Sequence, residues 1–139
     1  MSNWTHVAGV IRIDALRFDE SILDFDKLIG KKCLFNDDNS VWEDAEINPD
    51  SYLPMGWEGT LQKSVWVNPD RSCAAAYVVT IFGDLRDHHD PNEIIEWFKN
   101  KIKEIHKDYW VRNATITAHN ECNGTVNWTF NYEEFEENT

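Results

Sequence analysis

The chain has 139 residues, of which 42% are hydrophobic and 13% aromatic; this is enough apolar material for the core of one ordinary domain and argues against disorder along its whole length. Its 25 acidic residues outnumber 13 basic ones, for a net charge of −12, a field that repels phosphate backbones, disfavours direct wrapping of DNA or RNA and suits a basic partner. Cys33, Cys73 and Cys122 lie far apart without CxxC spacing, so neither a zinc site nor a disulfide framework is expected, and no apolar stretch approaches membrane-spanning length.

In chain order, Trp4 to Asp14 places Val7, Gly9, Ile11 and Ile13 on one side and His6, Ala8, Val10 and Arg12 on the other, the alternation of a strand. Glu20 to Lys32 repeats Ile22, Phe25, Leu28 and Ile29 at helical spacing, with Gly30 where a helix would stop. Residues 35–59 form an acidic insert expected to be mostly loop; Ser40 and Glu43 have capping-box spacing, which predicts one or two helical turns in SVWEDAEI. Leu61 to Val67 and Ala74 to Phe82 read as a hairpin turned by NPDRS.

Pro91 to Lys107 sets Ile94, Ile95, Phe98, Ile102 and Ile105 on one face, an amphipathic helix. Trp110 to His119 and Thr125 to Glu133 make a last strand pair reversed at NECNG, and the acidic end, 134–139, is expected to fray. The order predicts one α+β domain over 1–139: an antiparallel sheet with two helices on one face, the ferredoxin-like β-α-β-β-α-β order plus an added edge strand. Phe98, Ile102, Ile81 and Ile116 are expected in its core.

The stretch GDLRDHHDP, from Gly83 to Pro91, concentrates titratable groups between a strand and a helix. Asp90 and Pro91 have the chemistry of an N-cap and a first helical residue, and Glu93 suits the helix dipole, so local structure accounts for them. Adjacent His88 and His89 would point opposite ways in an extended segment, which is poor geometry for one metal. No catalytic residue, metal site or cofactor is assigned, and GWEG at Gly56 to Gly59 is too short to read as a phosphate cradle.

Partner contacts are expected from Asp37, Asp38, Trp42, Glu43, Asp44 and Trp57 in the insert and from Asp84, Arg86 and Asp87 at the joint. The strand face away from the helices offers a second surface. His6, Arg12, Trp66, Thr115, Thr117, His119, Asn127 and Thr129 would share it, with Gln62, Ser64 and Thr125, either as an ordinary solvated face or as a ligand platform. A nucleotide ligand there would need cations, for which Arg12, Arg86 and Arg112 are the candidates.

WTHVAGVIRID, LPMGWEG, IFGDLRD and DPNEIIEWF resemble a group of small, poorly characterised accessory proteins of Firmicutes bacteriophages and prophages, over most of the chain. The resemblance supplies no catalytic motif. It implies a non-virion protein in the cytoplasm of the infected host, of a kind that often blocks a defence component. The expected function is a non-enzymatic, counter-defence inhibitor of a host protein, such as one with a basic nucleic-acid-binding surface. Sequestration of a nucleotide signal on the polar sheet face is the alternative, and a small hydrolase is the least favoured. No membrane contact is expected, and self-association is left open.

Overall fold

The structure, a computed structural model, describes residues 2–16, 23–33, 39–68, 74–88 and 90–131. Five strands, β1 (Trp4–Leu16), β2 (Gln62–Val67), β3 (Ala74–Arg86), β4 (Trp110–Asn120) and β5 (Gly124–Thr129), form an antiparallel sheet in the order β2-β3-β1-β4-β5. The described residues also contain three helices, α1 (Phe25–Leu28), α2 (Asn39–Ile47) and α3 (Pro91–Asp108), and a 3-10 turn at Pro49–Ser51.

The expected ferredoxin-like sandwich with two helices packed on one face is overturned, because among the described residues only α3 is long. The helix expected over 20–32 shrinks to the four residues of α1. Two local signals truncate it. The Asp24 carboxylate accepts from the Lys27 amide at 3.2 Å, which starts the helix at Phe25. Gly30 then stops it at φ +139°, where a Cβ would stand 2.9 Å from the Tyr52 carbonyl carbon, so a side chain has neither the conformation nor the space. Residues 20–22 of the expected helix lie outside the described residues.

The helical turns expected in SVWEDAEI are present in the insert. Its described part is largely helical: α2 begins at Asn39, one residue before the expected cap Ser40, and runs for nine residues. It is tied back through a small second cluster of Cys33, Ala45 and Tyr52 with Met55 against it, and burial there pushes the Cys33 thiol up.

The main core lies between the sheet and α3. Val7, Ile11 and Ile13 of β1, Val79, Ile81 and Leu85 of β3, and Val111, Ala114 and Ile116 of β4 are buried beneath Ile94, Ile95, Phe98, Ile102 and Ile105 of α3. Each large side chain so covered contributes roughly 1.5–3 kcal/mol. Phe98 meets Trp128 of β5 edge-on at 5.8 Å. Asp90 caps α3 as expected: its carboxylate accepts from Asn92 N at 2.9 Å, and Pro91 follows. No helix among the described residues is long and apolar enough to cross a membrane.

GWEG has a structural use. The Trp57 amide donates to the Arg86 carbonyl and the Arg86 amide to the Glu58 carbonyl, both at 2.8 Å, which lays this loop along the end of β3. A Cβ on Gly56 would come 2.5 Å from the Arg86 oxygen. Side chains at that position would lift the loop off the strand.

Candidate functional site

With α3 covering one side, no described element covers the other face of the sheet. Its rows follow from the register: His6 lies between Asp84 and His119, Ala8 between Phe82 and Thr117, Val10 between Thr80 and Thr115, and Arg12 between Val78 and Asn113. Gln62, Ser64 and Trp66 extend these rows on β2, and Thr125, Asn127 and Thr129 on β5. The expected ligand residues His6, Arg12, Trp66, Thr115, Thr117, His119, Asn127 and Thr129 therefore share one face.

They do not converge on one small volume. Trp66 on β2 and Asn127 on β5 are four strand steps apart, or about 19 Å at ~4.8 Å per step. On β4 and β5 the polar groups satisfy one another: the Thr117 hydroxyl donates to Asn127 Oδ1 at 2.7 Å, Thr115 and Thr129 hydroxyls meet at 3.2 Å, and His119 Nδ1 lies 2.6 Å from the Thr125 hydroxyl. Arg12 donates to Asn113 Oδ1 at 3.4 Å, and Arg112 pairs with Asp14 at 3.3 Å.

At one end His6 sits between two carboxylates, with Nδ1 2.7 Å from Asp84 Oδ1 and Nε2 3.2 Å from Glu121 Oε2. Carboxylates accept only, so both ring nitrogens are best served as N–H donors, which favours imidazolium. The hydrogen bond to Asp84, then that to Glu121, raises the His6 pKa. His6 in turn, with the Trp4 amide, lowers that of Glu121. The His119 ring stacks on His6 at 6.1 Å.

Below this end Asn120 is a fully buried hub. Its Oδ1 accepts from the amides of Cys122 at 3.0 Å and Asn123 at 2.9 Å, and its Nδ2 donates to the Thr5 hydroxyl at 2.9 Å and the His88 carbonyl at 3.1 Å. The Thr5 hydroxyl also donates to the His88 carbonyl. The expected joint over 83–91 is shorter, because β3 runs on through Arg86 and α3 starts at Pro91, and it is built into the frame. Asp87 adopts φ 57°, a left-handed turn that aspartate tolerates, and its amide donates to the Asn3 carbonyl at 2.6 Å. His88 Nε2 lies 3.5 Å from Glu93; His89 is outside the described residues.

The expected partner residues divide. Asp84 is taken by His6, while Arg86 pairs with Glu58 at 2.9 Å and lies 3.7 Å from Asp87. Trp57, 75% exposed, joins this corner through its backbone bond to Arg86. Glu43 and Asp44 stand apart on α2, where the Tyr52 hydroxyl donates to Asp44 at 2.6 Å, lowering the pKa of Asp44 and raising that of Tyr52. Asp37 and Asp38 and the side chain of Trp42 lie outside the described residues.

Sequence reasoning missed Phe82, Trp110, Glu58, Glu121 and Asn120. Phe82 is 41%, Trp66 55% and Trp110 53% exposed. Phe82 was legible in the β3 alternation opposite Ile81, but Glu121 and Asn120 acquire their roles only through contacts with β1. The arrangement offers large apolar contacts beside closed polar pairs. Among the described residues the nearest approach to a nucleophile and base is His119 with Thr125, and both carboxylates at that end, Asp84 and Glu121, are hydrogen-bonded to His6 instead. Comparison with protein-family models, curated proteins and solved structures finds no match to the chain.

Proposed function

We propose that this protein acts by occupying a macromolecular partner with the open sheet face and carries out no chemistry of its own. The observation that carries this reading is the span of that face. Exposed Trp66, Phe82 and Trp110 flank the small side chains of Ala8 and Val10 across several strands, a spread too wide for one small ligand and of the kind a protein surface covers. Exposed aromatics are favoured anchors in protein interfaces. The net charge of −12 favours a basic partner.

The resemblance of four stretches to phage accessory proteins gives the proposal its setting, a host protein blocked inside an infected bacterium. To test it, the protein is purified from a bacterial host, its native mass recorded and its companions identified. A stoichiometric partner released by salt and by Trp66→Ala or Phe82→Ala is the expected result. Turnover of a nucleotide or ester that survives repurification and disappears in His119→Ala would overturn it.

A further inference from the structure

Against a net charge of −12, three lysines gather at one place. Lys31 and Lys32, just beyond Gly30, and Lys63 on β2 line an open surface cavity of about 480 Å³ with Asp26 and Gln62. Lys63, only 14% exposed at its side chain, donates to the Gly30 carbonyl at 2.8 Å and pairs with Asp26. Lys32 donates to Gln62 Oε1 at 3.2 Å. An ammonium carries three N–H donors, so both lysines keep donors after these bonds. Asp44, which also attracts Lys31, is occupied by Tyr52 and Asn48 and does not line the cavity.

Three ammoniums and one carboxylate leave a local surplus of two positive charges in the lining. The diffuse negative field of the rest of the surface is screened beyond ~8 Å in physiological salt, whereas an anion in the cavity meets the lysines at contact. A carboxylate would neutralise half of that surplus. A phosphate monoester, with a charge near −2 and three acceptor oxygens, matches both the charge and the remaining donors. Small-ligand pockets span roughly 300–1,000 Å³, so the cavity has room for more than the phosphate group.

We infer that this cavity binds the phosphate group of a small molecule, at a site distinct from the partner-binding face proposed above. The test is calorimetric titration of the full chain at physiological ionic strength with inorganic phosphate, ribose 5-phosphate and acetate. Saturable binding of at least one phosphate is expected at ~1 mM or tighter, with acetate at least about tenfold weaker, the equivalent of one charge-assisted hydrogen bond. Tighter binding of ribose 5-phosphate identifies a monoester site; equal binding identifies one for free phosphate.

The double variant Lys31→Gln/Lys32→Gln should lose about tenfold or more with its thermal unfolding unchanged, since Lys63 keeps its bonds to Gly30 and Asp26. Affinity for ribose 5-phosphate should also fall as pH drops below about 6, where a phosphate monoester gains a proton. Trp66→Ala should leave phosphate binding intact, which separates this site from the sheet face. No saturable binding of either phosphate, equal binding of acetate, or full affinity in the double variant would overturn the inference and leave the lysines as a clamp between β2 and α1.

Discussion

At one end of the open face, His6 gives both ring nitrogens to carboxylates, His119 meets Thr125, and Asn120 ties the β4–β5 turn to β1 and the joint before α3. Toward the other end, Trp66 and Trp110 stand exposed beside Arg12 and Asp14. Both regions belong to the same sheet and alternate in the same way. The difference teaches where to look for stability and where for binding: the first region has used its polar groups on itself, and the second has left apolar area that only another molecule can cover.

The comparison breaks first at Asn120. Asn120→Ala removes the acceptor of two backbone amides and of the Asn3 side-chain amide, and a donor from the Thr5 hydroxyl and His88 carbonyl, which keep each other, and should cost about 3 kcal/mol in denaturant unfolding. A loss within ~0.5 kcal/mol, the range of ordinary surface changes, would show that the hub is ornamental. Trp66→Ala should do the opposite. It should leave unfolding within ~0.5 kcal/mol and weaken partner binding by about 2 kcal/mol, measured by calorimetry or surface plasmon resonance with the purified partner. Next comes Asp90→Ala, which should lower stability by about 1 kcal/mol through loss of the α3 cap while leaving partner binding unchanged.

The smallest expected effect is a pH dependence of the His6 end. His6 has its pKa raised above 6.5, so its contribution is complete below that value and fades as pH rises through the raised one. Glu121 has its pKa lowered below 4.5, so its contribution is complete above that value and fades as pH falls through the lowered one. The network is therefore firmest between the two ordinary values. NMR titration should show the His6 pKa falling more in Asp84→Asn than in Glu121→Gln, because Asp84 is the larger cause of the shift. The reverse order would place the main partner on the wrong carboxylate.

What could be read from the sequence was whatever depends on neighbours along the chain. The apolar period from Ile94 to Ile105 gave α3 and its buried face, Asp90 with Pro91 gave its start, and alternation put Thr115, Thr117 and His119 on the side opposite Ile116. Even local signals misled where two competed: the period Ile22, Phe25, Ile29 read as a helix of ordinary length, but the Asp24 cap and the Gly30 stop confine it to one turn. The two-helix layer failed for that reason. The rest depends on pairing across the fold. Lys63 joins Lys31 and Lys32 only because β2 runs past Gly30, and Glu121 reaches His6 only through the β1–β4 register.

The central place of β1 has a further consequence for how the molecule assembles. β2 with β3 and β4 with β5 are hairpins that close over short distances along the chain, while β1 must find Leu85 and Asn120 for the single residue Thr5. Such distant pairings are slow, because chain entropy is lost before the ladder repays it. The sheet should thus form in two halves, with β1 as the strand that joins them. Until it arrives, β3 and β4 each present a bare ladder edge, so crowding the refolding chains at that stage should favour exchange of β1 between molecules over its pairing within one chain.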